Sequence, residues 1–363
     1  MKWSWRLGRL FGIDVFVHAT FLILLVWVGL GHYQREGNVA GALAGVAFIL
    51  AVFGTVVLHE LGHALTARRF GVQTKDITLY PIGGVARLER IPEKPIQELL
   101  VSLAGPAVNV VLAAVLFAVL RATGQPTSVA TGSVVSGEPF LTRLLWVNVT
   151  LAGFNLLPAF PMDGGRALRA LLALRQDYVQ ATRTAAGIGQ GFALLLGLLG
   201  LFSNPFLVFI ALFVWIGAAA ELGAVQTKAA LTGYPVQAAM ITHFDLLAAD
   251  DTLATASEAL LAGSQVDFPV VDASGLLVGV LTRSDLIRGL TAGGPSATVE
   301  TTMTRRFARA DPSEMLQGAL ARLEGSECTC IPVVRSGRVL GILTMENVGE
   351  LMMLRDAVRA SSS

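Results

Sequence analysis

The chain has 363 residues, of which 53% are hydrophobic and only 15% charged. Its mean hydropathy is +0.63. Soluble proteins carry about 25% charged residues, so a wholly water-exposed globule is excluded. A net charge of +1 offers no basic footprint for nucleic acid.

The deficit of charge is uneven: residues 1–225 hold the long apolar runs, while residues 236–359 read as an ordinary soluble domain. In chain order, Met1-Lys2-Trp3-Ser4-Trp5-Arg6-Leu7-Gly8-Arg9 has the positive start of an export signal. No small-residue cleavage site follows, which predicts a retained first membrane helix. Apolar stretches of bilayer length, roughly 17–25 residues, fall at 13–31, 42–66, 97–120, 140–157, 184–202 and 204–222. They predict six transmembrane helices, the last two joined by Ser203-Asn204-Pro205. Alternate connecting segments carry Lys2, Arg6 and Arg9, then Arg68, Arg69, Lys75, Arg87, Arg90 and Lys94, then Arg166, Arg169, Arg175 and Arg183. The opposite loops hold only Arg35, Arg121 and Arg143. By the positive-inside rule the N-terminus and the C-terminal domain are both cytoplasmic.

Charged groups at membrane depth cost roughly 2.5–3.5 kcal/mol each, so those in the second stretch need a reason. In a helix, His59-Glu60-Leu61-Gly62-His63 puts two imidazoles one turn apart on one face, with Glu60 beside them. This is a zinc-hydrolase arrangement: two nitrogen ligands and a carboxylate base for the attacking water. A structural polar cluster without metal would leave these groups unpaired in lipid. A third ligand is offered by Asp163, in Asn155-Leu156-Leu157-Pro158-Ala159-Phe160-Pro161-Met162-Asp163-Gly164-Gly165-Arg166. Two prolines break the fourth span there, and the glycine pair permits unusual backbone angles. Asp163 also suits the N-cap of a helix over Arg166–Leu174, and the two roles are not exclusive. His63 lies five residues from Arg68, about 7.5 Å of helix, and Asp163 lies three from Arg166, so both motifs sit at one depth.

Together, His59-Glu60-x-x-His63, Asn155-x-x-Pro158-x-x-Pro161-x-Asp163-Gly164 and the Gly83-Gly84 turn resemble the site-2 protease family of intramembrane zinc metalloproteases. The repeats described below place the resemblance in the bacterial or archaeal branch with a C-terminal CBS pair. It implies a six-helix core that cleaves transmembrane substrates, often membrane-held regulators, with one catalytic zinc on His59, His63 and Asp163. Glu60 would take the proton of the attacking water and return it to the leaving amine, and Asn155 would hold substrate or stabilise the oxyanion. On the bare sequence Asn155 is equally a helix-end hydrogen-bonding residue, and Asn148 on the same face reads as packing. Asp76–Leu88 reads as a hairpin around a glycine turn. In the family such a hairpin dips into the membrane beside the site; the alternative is a plain cytoplasmic loop. The longest external loop, 121–139, cannot hold the peptide-binding PDZ domain of some members.

The soluble part repeats itself. Phe268-Pro269-Val270-Val271 and Gly279-Val280-Leu281-Thr282-Arg283-Ser284-Asp285 echo Ile331-Pro332-Val333-Val334 and Gly341-Ile342-Leu343-Thr344-Met345-Glu346-Asn347, with one residue fewer in the second hairpin. These units resemble tandem CBS domains, which pair into one disc and often bind adenine nucleotides. The resemblance makes Thr282, Asp285 and Thr344 nucleotide contacts; Asn347 replaces the second acid and weakens that half-site. A nucleotide-free dimerisation module is the alternative. Cys328 and Cys330 read as reduced core residues, since neighbours on one strand face are poor disulfide partners and two thiolates a poor zinc site.

The expected fold is a polytopic α-helical membrane protein with a soluble α/β CBS pair. Residues 1–225 form the membrane metalloprotease domain, 226–235 a linker that contains Thr227–Pro235, 236–293 and 294–356 the repeats joined through Thr291–Pro295, and 357–363 a disordered tail. Its partners are the lipid bilayer of the cell membrane, a transmembrane protein substrate and a second copy through the CBS domains. A CBS-regulated transporter or channel also accommodates buried charge, but it does not explain two histidines at i, i+4 with a carboxylate between. A proteolytically dead scaffold would call for a replaced ligand position, and none is replaced.

Overall fold

The computed structural model describes residues 3–89, 94–128, 139–326 and 328–361. Lys2, Arg90, residues 129–138 of the long loop and Ser362–Ser363 of the tail lie outside them. The chain divides into two compact units, Met1–Val225 and Gln226–Ser363.

The first unit begins with strands β1 (Ser4–Leu10) and β2 (Ile13–His18), followed by helices α1 (Ala19–Glu36) and α2 (Val39–Arg69). Strands β3 (Thr74–Tyr80) and β4 (Gly83–Leu88) precede α3 (Pro95–Ala122), α4 (Phe140–Asn155), α5 (Asp163–Leu172), α6 (Tyr178–Phe202) and α7 (Pro205–Ala230). The four strands form one sheet in the order β1-β2-β3-β4. The β2–β3 pair is parallel and the two outer pairs are antiparallel.

The expected first membrane stretch, 13–31, is therefore corrected: its first six residues are strand. Phe11 and Gly12 both have positive φ, 49° and 88°, which suits a tight hairpin whose twist matches its strands. Ile13, Val15 and Val17 then alternate inward onto a core with Phe21, Phe53, Val57 and Ile77. The hairpin expected over Asp76–Leu88 is present as β3–β4.

Four helices, α2, α3, α6 and α7, are long and apolar enough to cross a membrane. α1 with 18 residues and α4 with 16 are not among them. α4 at 1.5 Å per residue reaches only about 24 Å, against about 30 Å of hydrocarbon. α3 packs against α2, α4 and α5. Its contact with α2 is set by glycine: a Cβ on Gly62 would stand 2.8 Å from the Ala104 carbonyl oxygen. Small residues of this kind let two membrane helices approach backbone to backbone.

In the second unit, the first repeat holds β5 (Leu247–Ala248), α8 (Leu253–Ala262), β6 (Phe268–Val271), β7 (Leu277–Leu281) and α9 (Arg283–Gly293). After α10 (Val299–Thr302), the second holds α11 (Leu316–Glu324), β8 (Cys330–Arg335), β9 (Arg338–Thr344) and α12 (Met345–Ser361). β6–β7 and β8–β9 are equivalent antiparallel hairpins. Each repeat has its own apolar core, one around Phe268, Val270 and Leu281, the other around Ile331, Val333 and Leu343. Buried Asp267 joins them, accepting from Arg283 N at 3.1 Å, Thr329 N at 2.6 Å and Thr329 Oγ1 at 2.9 Å. Cys328 and Cys330 are buried and share no disulfide.

Three irregular segments prove more helical than their composition suggests. α7 runs four residues into Thr227–Pro235, α9 continues to Gly293 within Thr291–Pro295, and α12 reaches Ser361 within the tail expected to be disordered.

Candidate metal centre

α2 carries His59, Glu60 and His63, and the first residue of α5 is Asp163. The Asp163 carboxylate does not cap its own helix; Met162 is the N-cap residue and no side chain bonds there. Asp163 Oδ2 instead lies 3.2 Å from His59 Nε2 and 3.1 Å from His63 Nε2, and the two Nε2 atoms are 3.0 Å apart. Among the described residues this is the cluster of His, Cys or acidic groups able to hold a metal.

The glycine pair after Asp163 works through space rather than through unusual backbone angles. Gly164 and Gly165 lie inside α5 without positive φ. A Cβ on Gly164 would fall 2.3 Å from the Leu157 carbonyl oxygen, and one on Gly165 2.5 Å from the Ala159 carbonyl carbon. Only glycine lets the start of α5 lie flat on the Leu156–Phe160 turn and bring Asp163 to the histidines.

Each imidazole is held from behind. His63 Nδ1 meets the Val101 carbonyl oxygen at 2.7 Å and His59 Nδ1 meets Asn109 Oδ1 at 2.5 Å. A carbonyl can only accept, so His63 carries its proton on Nδ1, and the same holds for His59 opposite the Asn109 oxygen. Asn109 is oriented in turn: its Nδ2 donates to Asn148 Oδ1 at 3.0 Å, and Asn148 Nδ2 donates to the Leu144 carbonyl at 2.9 Å. Asn148, expected to be packing, is thus a fully buried member of a relay behind a histidine. Nothing in local spacing marks Asn109, although it is the sole polar side chain in Leu103–Leu120.

These contacts test the fit to zinc. With each Nδ1 committed to an oxygen, neutral imidazoles turn both Nε2 lone pairs and the Asp163 oxygen to one point, a donor set that suits a cation. Their 3.0–3.2 Å separations approach the roughly 3.3 Å edge of a tetrahedron with bonds of about 2.0–2.1 Å. Oriented Nδ1–H groups are what zinc-bound histidines require. Gly105 leaves the needed room, since a Cβ there would stand 2.2 Å from His63 Nε2 and 2.6 Å from His59 Nε2. Three protein donors fit a catalytic rather than a structural zinc.

The three donors line a cavity of about 360 Å³ shared with Glu60, Gly84, Val85, Ala86, Asn155 and Arg166. β4 ends the sheet, and among the described residues its outer edge has no strand partner. The Ala86 N–H is directed at the Glu60 carboxylate. Gly84 packs directly on Glu60, where a Cβ would meet its Cγ at 3.0 Å. Asn155 ends α4, lines the cavity and donates from Nδ2 to the Leu151 carbonyl at 3.0 Å, so its helix-end role is visible.

A second charged cluster backs the cavity. Arg169, fully buried, donates from Nε to Glu98 Oε1 at 2.8 Å and from Nη1 to Glu221 Oε1 at 2.6 Å. Its Nη2 also bonds Glu98 Oε1, and its guanidinium lies over the rings of Phe160 and Tyr178. The sequence marked Arg169 only as one of several cytoplasmic charges, because its partners lie on α3 and α7.

In the second unit, Thr282 and Asp285 form a capping box at the start of α9, with Thr282 Oγ1 accepting from Asp285 N at 3.0 Å. Asp285 also pairs with Arg288. Thr282 and Asp285 line a cavity of about 1010 Å³ with Arg306 and Arg322, whereas Thr344 lines a separate one of about 410 Å³. Asn347 turns inward, its Nδ2 donating to the Ala239 carbonyl at 3.3 Å.

Comparison with known proteins gives the family. The model of peptidase family M50 matches residues 47–198, and that of the CBS domain matches 236–292 and 299–353. A zinc metalloprotease of Methanocaldococcus jannaschii is 36% identical over 282 residues, 77% of this chain and 78% of that protein. Stage IV sporulation protein FB of Bacillus subtilis is 32% identical over 167 residues, 46% of this chain and 54% of that protein. The solved structure of a site-2 protease from Methanocaldococcus jannaschii is 39% identical, covers 61% of this chain and 95% of that one, and superposes with a TM-score of 0.44. The chain belongs to peptidase family M50, as a site-2 type intramembrane zinc metalloprotease with C-terminal tandem CBS domains.

Proposed function

We propose that this protein cleaves membrane-anchored protein substrates within or near their transmembrane segments, using His59, His63 and Asp163 as zinc ligands and Glu60 as general base. The observation that carries the reading is the convergence of three metal-ligating atoms within 3.2 Å of one another beside Glu60. Zinc held there supplies an acidified water and polarises the scissile carbonyl. Glu60 takes the proton of that water on its carboxylate and passes it to the leaving amine. Asn155, at the cavity wall, is the amide available to the developing oxyanion.

A transmembrane helix satisfies its own backbone, so a substrate has to unwind before its carbonyl can be attacked. The free edge of β4 supports this step. An unwound segment laid along Gly84–Ala86 gains strand hydrogen bonds in place of its helical ones and runs past Glu60.

We read α1 and α4 as further, shorter crossings, which gives six, with the N-terminus and the CBS pair cytoplasmic. The cavity at Thr282 and Asp285 is the nucleotide site of this reading, through which an adenine nucleotide modulates cleavage. The second half-site is weak, since the Asn347 amide is engaged by the Ala239 carbonyl. The test is Glu60→Gln in the full chain. Zinc content is retained while cleavage of a transmembrane reporter is lost; a variant that still cleaves removes Glu60 as the base.

A further inference from the structure

Two residues that line the catalytic cavity each bury a polar atom that has no hydrogen-bond partner among the described residues: Glu98 Oε2 and Arg166 Nε. They come from different helices, α3 and α5, and are complementary, one an acceptor and the other a donor. The Glu98 side chain is only 1% exposed, and its other oxygen is fixed by Arg169 and Tyr178. Oε2 therefore cannot turn to another partner without breaking a buried ion pair. Arg166 lies one helical turn after Asp163, so it shares the face that looks onto the histidines. The Glu98 and Arg166 charges act on each other through space, yet no hydrogen bond joins them.

What completes such a pair must bring a donor and an acceptor together and carry no net charge. A carboxylate or phosphate is repelled by Glu98, and an ammonium is repelled by Arg166. An extended peptide fits, because the N–H and C=O of one residue project to the same side, as in the hydrogen-bonded pairs of an antiparallel sheet. We infer that Glu98 and Arg166 form a backbone-reading subsite, with Glu98 Oε2 accepting the N–H and Arg166 Nε donating to the C=O of one residue in the unwound substrate. The inference rests on the protease reading above and adds to it a second grip besides the edge of β4. It also explains the Glu98–Arg169–Glu221 cluster, which holds Oε2 in place.

The experiment uses the zinc-loaded full chain, the variants Arg166→Gln and Arg166→Lys, and a transmembrane peptide whose cut site has been mapped. A series of that peptide carries a single backbone ester in place of each amide in turn around the cut. One lost hydrogen bond corresponds to about tenfold in kcat/KM. The expected result is that Arg166→Gln cuts the all-amide peptide about tenfold more slowly at unchanged zinc content. The ester that deletes the N–H accepted by Glu98 then slows both enzymes, whereas the ester at the following amide, whose weakened carbonyl is the one Arg166 bonds, slows wild type but not Arg166→Gln; Arg166→Lys recovers little because it has no donor at the Nε position. The subsite is overturned if Arg166→Gln cuts like wild type, or if every ester penalises both enzymes equally. Sensitivity to a substrate Asn or Gln side chain instead of any ester also overturns it. Failure of zinc-loaded wild type to cut any peptide sinks the protease reading itself, an outcome distinct from a flat difference between the two enzymes.

Discussion

Replacing Gly105 by alanine tests how tightly the centre is built. The added methyl would stand 2.2 Å from His63 Nε2 and 2.6 Å from His59 Nε2, whereas ordinary contacts begin at 3.4 Å. At least one ring has to retreat by about 1 Å, while metal–ligand distances tolerate only about 0.2 Å. Retreat is blocked from behind, because His63 is tied to the Val101 carbonyl one turn away on the helix that carries the methyl. The loss should reach at least the upper end of the range for disturbed ligand orientation, about 100-fold in zinc affinity, or about 2.7 kcal/mol. Elemental analysis of purified protein and chelator competition measure it, with circular dichroism to confirm the helices. Gly54→Ala on α2 is the control, since its Cβ meets nothing within 4 Å. It should keep full zinc and gain up to about 1 kcal/mol of helix stability. Stoichiometric zinc at wild-type affinity in Gly105→Ala would refute the geometry.

Asn109→Ala removes the acceptor behind His59 and takes the donor from Asn148 Oδ1, so zinc affinity should fall about 10- to 100-fold by the same titration; an unchanged affinity would reduce the relay to packing. Burial, with help from Asp267 and Cys328, pushes the Cys330 thiol up to about 12. At pH 8 the folded protein should resist alkylation at Cys330 and react only once denatured. Because the unfolded thiol ionises first, the stability this group gives the fold is complete below about pH 9 and is lost as pH rises towards about 12. Thermal melts across that window, compared with Cys330→Ala, read the difference.

The histidine pair and Glu60 were legible because their relation is local, fixed by the pitch of one helix. Asp163 was legible through the prolines that break its span, yet the reason for Gly164 and Gly165 was not, since steric room is a property of the neighbouring turn. Asn109 and Glu98 could be seen only as isolated polar letters; their partners lie 50 and 71 positions away. The N-terminal hairpin was hidden by its own charge. Arg6 and Arg9 look like an export signal, and the alternation of Ile13, Val15 and Val17 merges into the apolar run of α1. In the second unit the repeat revealed both hairpins, because antiparallel pairing across a short turn leaves its period in the sequence.

The polar side chains around the cavity share one pattern: the atoms facing away are filled by protein, and those facing in are bare. Each histidine has its Nδ1 occupied and its Nε2 open. Glu98 has one oxygen locked and one free, and Arg166 shows an unpaired Nε to the same space. A bare polar atom in a low-dielectric interior is costly, and a ligand that completes it removes that cost. The open nitrogens call for a cation, and the open donor–acceptor pair calls for a backbone with unpaired amides. An intact transmembrane helix has no such amides to give, because its own ladder uses them. On this reading the cavity discriminates by conformation before it discriminates by sequence. A substrate whose helix carries glycine or proline near the cut, and so unwinds at lower cost, should be cleaved faster than an all-leucine segment of the same length.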